Sequence, residues 1–183
     1  MIDLLENKRH EHAAGYIVSM WHLEDLLRAH GLDLEAVSGL LVKPMDTDPE
    51  TKRGVRAWYA DLIRRMREEG IEQEGHLDEV KEVMEELRSI HDALINDVQD
   101  PAYVQAYLKV EQDIRAVQRQ TGGSELDPIE ACFTAVYGVM LLKAQGTEIS
   151  EATAAAEARI REFLELLSGH HRDLPRLPDI SLN

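Results

Sequence analysis

Apolar residues recur at three- and four-residue spacing along almost the whole chain, the period of an α-helix that buries one face. The clearest run is Leu77, Val80, Met84, Leu87, His91, Leu94 and Val98. It is a heptad-like seam of the kind used between packed antiparallel helices. Shorter stripes follow the same rule: Val55, Trp58/Tyr59, Leu62/Ile63 and Met66, then Tyr103, Tyr107, Val110, Ile114 and Val117, then Ile160, Phe163 and Leu167. One segment differs, because Tyr16, Ile17, Met20, Trp21, Leu23, Leu26 and Leu27 are apolar nearly all round. That pattern predicts a central helix. No segment alternates with period two, so no sheet is predicted.

Local signals place the ends of these elements. Asp48-Pro49, Asp100-Pro101 and Asp127-Pro128 each precede an apolar stripe. An aspartate carboxylate accepts from free N–H groups at a helix start, and proline fits the first helical position, so all three read as starts. Gly31, Gly70, Gly146 and Gly169 read as stops. The expected helices span roughly residues 9–30, 34–41, 49–69, 76–98, 101–120, 128–145 and 150–168, with an irregular tail over 170–183. The expected fold is therefore all-α, a helical bundle of about seven helices forming a single domain over residues 1–183. Thr121-Gly122-Gly123-Ser124 is the most flexible internal linker in this reading.

Composition narrows the function classes. A chain of 183 residues buries roughly 70% of its unfolded surface and needs no covalent staples. Its one cysteine, Cys132, excludes an internal disulfide and suits a reducing compartment. It sits among apolar neighbours and reads as an inert core thiol. No stretch resembles a signal peptide or reaches the ~18 apolar residues of a membrane span, so a cytoplasmic location is expected, with no membrane partner. The net charge of −15 argues against a nucleic-acid partner, which would need a basic footprint. High Asp and Glu with only 6 lysines against 14 arginines also fits adaptation to a salt-rich cytoplasm.

The candidate chemistry is sparse. Glu24 lies on the apolar stripe of the first helix, where a carboxylate must be paired, and Arg28 follows one turn later in the favourable order. The pair reads either as structural or as the wall of a polar pocket with Trp21. His22–Asp25 and His76–Glu79 each set two potential metal ligands on one helix face, but no Glu-x-x-His or His-Glu-x-x-His occurs. His91, on the apolar seam, reads as a satisfied core histidine. Cations crowd residues 52–67 and carboxylates residues 68–86, which predicts that the third and fourth helices pair across a shared edge. The alternative is a basic face for an anionic ligand. Ala131, Ala135 and Gly138 form a small-residue face that a second copy could approach. No Walker loop and no local Ser/His/Asp or Cys/His signature is present. No catalytic residue, metal site or cofactor is assigned on this basis.

The stretches Tyr16–Ala29, Glu74-Gly75-His76-Leu77 and Cys132-Phe133-Thr134-Ala135-Val136-Tyr137-Gly138 resemble an uncharacterised bacterial family, domain of unknown function 4924. The resemblance covers nearly the whole chain, and Trp-x-x-Glu-Asp-Leu-x-Arg is its most specific part. It implies a helical cytoplasmic protein, brings no activity with it, and directs interest to Trp21, Glu24, Asp25, Arg28, His76 and Tyr137. Two function classes stand from sequence. The first is a non-enzymatic protein acting by binding or self-association, with a homo-oligomer as a possible form. The second is an enzyme or small-molecule binder in which Glu24 is the acid or base, Arg28 holds an anion and His76 assists. Metal-dependent helical-bundle chemistry is a further alternative.

Overall fold

The computed structural model describes residues 8–120 and 126–174. It is all-α, with no strand among the described residues. The helices are α1 (Ala13–Ala29), α2 (Leu34–Val37), α3 (Pro49–Glu68), α4 (Asp78–Asp92), α5 (Pro101–Gln120), α6 (Pro128–Ala144) and α7 (Glu151–Asp173). Two wider π-helical turns extend α2 over Ser38–Val42 and α4 over Ala93–Asp97.

The Asp-Pro starts behave as expected. Asp48 accepts from the N–H groups of Glu50 and Thr51, Asp127 from those of Ile129 and Glu130, and Asp100 from that of Tyr103. Gly31, Gly70 and Gly146 end their helices with φ between 63° and 73°, the left-handed region where a Cβ is unfavourable.

Three boundaries differ from the expectation. The first helix is broken at His12, and α1 starts at Ala13. The Ala14 N–H is satisfied by the Ser168 hydroxyl at 3.0 Å rather than by a preceding turn. The fourth helix leaves α geometry after Asp92: Val98 donates to the Ala93 carbonyl and Asp100 to that of Leu94, a widened turn that absorbs one extra residue. The last helix does not stop at Gly169 but continues to Asp173. Gly169 has no positive φ, so it is an ordinary helical residue and residues 170–173 of the expected irregular tail are helical. Residues 175–183 of that tail, and the linker Thr121–Ser124, lie outside the described residues.

The chain falls into two compact units, one of residues 1–9 and 15–85, the other of residues 10–14 and 86–183. The division crosses α1 and α4 and does not coincide with the Gly-rich linker. In the first unit, α1 buries Ile17, Met20, Trp21 and Leu27, and α3 buries Val55, Tyr59, Leu62, Ile63 and Met66. In the second, α5, α6 and α7 each pack against the other two. Their core holds Tyr103, Ile114, Ile129, Phe133, Ile160, Phe163 and Leu167. His91 is buried there and meets the Tyr103 hydroxyl through Nδ1 at 2.9 Å, with Tyr107 and Phe163 edge-on around its ring. Burial holds its pKa below the usual histidine value, against an opposing pull from Asp92 and Asp127.

The charge blocks on α3 and α4 meet at Arg65 and Glu79, which bridge at 3.0 Å. Arg64 pairs with Asp61 and Glu68 along α3, Arg56 with Glu35, and Arg67 with Glu72, while Lys52 donates to the Lys43 carbonyl. Helical i,i+3 and i,i+4 neighbours share a face, so Arg64 and Arg65 both find Asp61 within α3 itself.

Candidate functional site

The first unit brings together residues 52 positions apart. α1 carries Trp21 and Glu24 three residues apart, which sets them on one face. The connection between α3 and α4 brings His76 and Leu77 to that face. His76 Nδ1 lies 2.6 Å from Glu24 Oε2, and the Leu77 N–H donates to Glu24 Oε1 at 2.9 Å. The His76 ring stacks on the Trp21 indole with centroids 4.5 Å apart and planes 8° from parallel. Glu24 is 1% exposed, while the His76 side chain is 35% exposed. A buried carboxylate thus holds a half-exposed imidazole by its inner nitrogen, and an aromatic ring fixes the imidazole plane.

Glu24 has a second role. Leu77 immediately precedes α4, so its N–H is one of the donors that a helix start leaves without a partner. The neighbouring Asp78 N–H is taken by Glu69 at 2.7 Å. Two carboxylates therefore sit at the positive end of the α4 dipole, where negative charge is favoured.

Arg28 does not pair with Glu24. Its Nε and Nη2 donate to the Ile71 carbonyl at 3.2 Å, Nη2 also to that of Gly75, and Nη1 to Asp25 at 3.0 Å. The guanidinium fork pins the loop that delivers His76. Gly75 is required in that loop: its φ is 91°, and a Cβ there would stand 3.3 Å from Ile71 Cγ2. Trp21, Glu24, Asp25, Arg28 and His76 therefore form one connected cluster. Tyr137 belongs to the other unit, half-buried on α6.

These contacts redistribute the roles suggested by sequence. Glu24 has both oxygens engaged, Oε2 by His76 and Oε1 by the Leu77 N–H. Arg28 spends its donors on backbone carbonyls and Asp25, so it supports the loop rather than an incoming anion. Because a carboxylate only accepts, His76 Nδ1 is the donor to Glu24, and Nε2 is the ring nitrogen turned away from it. Glu79, paired with His76 in the sequence reading, instead faces Arg65 and the Tyr16 hydroxyl. Burial and the Glu79 charge together push the Tyr16 hydroxyl well above its ordinary pKa. His22 is exposed on α1. Among the described residues, no group of three or more His, Cys, Asp and Glu side chains is placed to hold a metal ion.

A separate cleft of about 610 Å³ in the same unit lies between Gly31–Leu34 and α3, with Arg64 and Arg67 on its wall. Arg64 is bound to Asp61 and Glu68, and Arg67 to the Leu32 carbonyl. With Asp33 and Glu68 also lining it, the cleft has no excess positive charge for an anion.

The sequence pointed to the members of the cluster but not to their pairing. Glu24 looked like the partner of Arg28 because helical spacing is visible in sequence, whereas the approach of His76 across 52 residues is not. Ile71 went unnoticed, since it contributes a carbonyl oxygen, which every residue type has.

The chain belongs to the family described as a domain of unknown function (DUF4924), whose model matches residues 2–175. No curated protein and no solved structure matches it. No helix among the described residues is long and apolar enough to cross a membrane.

Proposed function

We propose that this member of a family of unknown function is a small-ligand-binding protein whose recognition site is His76, held by Glu24 and Trp21. The observation that carries the reading is the division of labour on the imidazole. Nδ1 is fixed on a buried carboxylate at 2.6 Å and the ring is stacked on Trp21, while the side chain keeps 35% of its surface open. A histidine serving only the core needs no exposed edge. A histidine serving a ligand needs its tautomer and plane set beforehand, since preorganisation lowers the ordering cost of binding. Nε2 then accepts a hydrogen bond from a ligand, or takes its proton if the ligand is acidic enough. The reading assigns recognition to the site and requires no nucleophile.

The test is long-range ¹H–¹⁵N NMR on the histidine rings, followed by a screen of small weak acids and alcohols. At neutral pH, His76 is expected as the Nδ1–H tautomer. Ligands that bind should shift the Nε2 resonance in the wild type and lose affinity in His76→Phe. An Nε2–H tautomer in the wild type, or ligand binding that His76→Phe leaves untouched, refutes the assignment.

A further inference from the structure

His76 is the half-exposed member of a cluster whose other two rings and oxygens are buried: Trp21 is 6% exposed and Glu24 1%. In the neutral ring, donation from Nδ1 to Glu24 leaves the lone pair on Nε2, away from the carboxylate. A histidine attacks an electrophile only through such a lone pair. Both buried neighbours also act on the charge that attack creates. When Nε2 forms a bond the ring becomes cationic, and its Nδ1 lies 2.6 Å from a Glu24 oxygen. The Trp21 indole, stacked with centroids 4.5 Å apart, turns its electron-rich face to the same ring. Groups fixed in advance where charge develops stabilise it without having to reorganise.

The surrounding charges select the electrophile. Residues 69–79 hold Glu69, Glu72, Glu74, Asp78 and Glu79 and no Lys or Arg. Cations of the adjoining helices are committed elsewhere: Arg28 to Asp25 and the loop carbonyls, Arg65 to Asp61 and Glu79, Arg67 to Glu72, and Lys81 to Asp78. An anionic donor, such as a phosphoryl compound, would approach against this field. An uncharged acyl carbonyl would not.

We propose that His76 Nε2 is a nucleophile toward uncharged, activated acyl esters, with Glu24 as its positioning residue. The proposal rests on the His76 recognition site and gives that site a substrate class. The Nε2 lone pair adds to the acyl carbon and forms a C–N bond. The ester C–O bond breaks, and the alcohol or phenol leaves with its electron pair. The acyl-imidazolium keeps its proton on Nδ1, against Glu24. Water then adds to the acyl carbon, and the C–N bond breaks with its electrons returning to Nε2. The water protons pass to the carboxylic acid and to solvent, so the net reaction is ester hydrolysis.

The test uses the full chain and two neutral acyl donors. Diethyl pyrocarbonate leaves a stable ethoxycarbonyl group, so limited labelling and peptide mass mapping rank the histidines of the wild type. His22 is the internal control: it stands next to Trp21 on α1 and is more exposed than His76. Exposure alone would put His22 first, whereas His76 should label about tenfold faster or more. With p-nitrophenyl acetate the wild type should turn over, and His76→Phe should slow nitrophenolate release by about tenfold or more. Glu24→Gln turns the proton to Nε2 and should slow release as much, since a wrong tautomer can cost up to about 10⁴ in rate. Its histidine ¹⁵N shifts should report the inverted ring while His22 labels as before, a pattern that a loss of structure would not produce.

Wild-type labelling in which His22 keeps pace with His76 overturns the proposal, and that result needs no variant to fold. So does turnover that a folded His76→Phe retains, or a Glu24→Gln protein that reacts like the wild type. An Nδ1–H tautomer with an unreactive Nε2 overturns the nucleophile and leaves the recognition site standing. An Nε2–H tautomer in the wild type overturns both.

Discussion

Replacing Glu24 separates the structural from the recognition role of the cluster. The carboxylate is 1% exposed and accepts from His76 Nδ1 at 2.6 Å and from the Leu77 N–H at 2.9 Å. Hydrogen bonds to charged groups contribute roughly 1.5–3 kcal/mol each, and the Leu77 N–H left behind loses its partner in a buried setting. Glu24→Ala strands both donors and leaves the start of α4 without its inner carboxylate. The expected loss is about 3–5 kcal/mol, roughly two such bonds discounted for the half-exposed imidazole. At about 2–4 °C per kcal/mol for a chain of this size, Tm falls by about 6–20 °C.

Glu24→Gln keeps the shape and one acceptor. Its amide oxygen can serve Leu77, but its NH₂ then faces His76 and needs an acceptor. The imidazole should answer by moving its proton from Nδ1 to Nε2, which inverts the outer nitrogen from acceptor to donor. The assay joins denaturant unfolding, followed by Trp21 and Trp58 fluorescence, to histidine ¹⁵N shifts. Trp21 and Trp58 are the protein's two tryptophans and both lie in the first unit, so the signal reports that unit. A loss below about 1 kcal/mol in Glu24→Ala would mean that the two hydrogen bonds do not hold the loop. An unchanged tautomer in Glu24→Gln would mean that Glu24 does not set it.

Three further outcomes follow from the same structure. His91 has a folded pKa below its unfolded value of about 6.5, so the unfolded chain binds the proton more readily. Stability should fall as pH drops through 6.5 toward the folded value, and His91→Gln should flatten that slope in urea melts. Burial pushes the Cys132 thiol far above its ordinary pKa. It should therefore react with Ellman's reagent only in denaturant, and rapid reaction of the native protein would contradict its place in the core. Gly75→Ala forces a Cβ into a left-handed position and against Ile71. It should cost about 1–2 kcal/mol and shift the His76 ring resonances, while Gly54→Ala, in open space on α3, should do neither.

The all-helical character of the chain and most of its boundaries were legible in the residues, because helices are governed by local rules. Apolar period, Asp-Pro starts and left-handed glycines act within a few positions. They located α3, α5 and α6 to within a residue or two. The errors came where a distant group replaced a local one. Ser168 supplies the partner for the Ala14 N–H where the first helix restarts, a widened turn ends α4, and Gly169 stays helical because no turn forms at it.

The site divides in the same way. Sequence alone marked Glu24 as a carboxylate that had to be paired, because its position on an apolar face is a matter of helical spacing. It could not name the partner. Arg28, four residues away, was the only choice visible along one helix, whereas the folded chain gives Glu24 to His76 and Leu77 and turns Arg28 to the loop carbonyls. Small residues on α6 were likewise visible as a pattern. Whether they admit another helix or leave a cleft depends on α5 and α7, and only the tertiary structure brings those three surfaces together. Local spacing thus determined which residues share a face, and the packing of segments remote in sequence decided what each face meets.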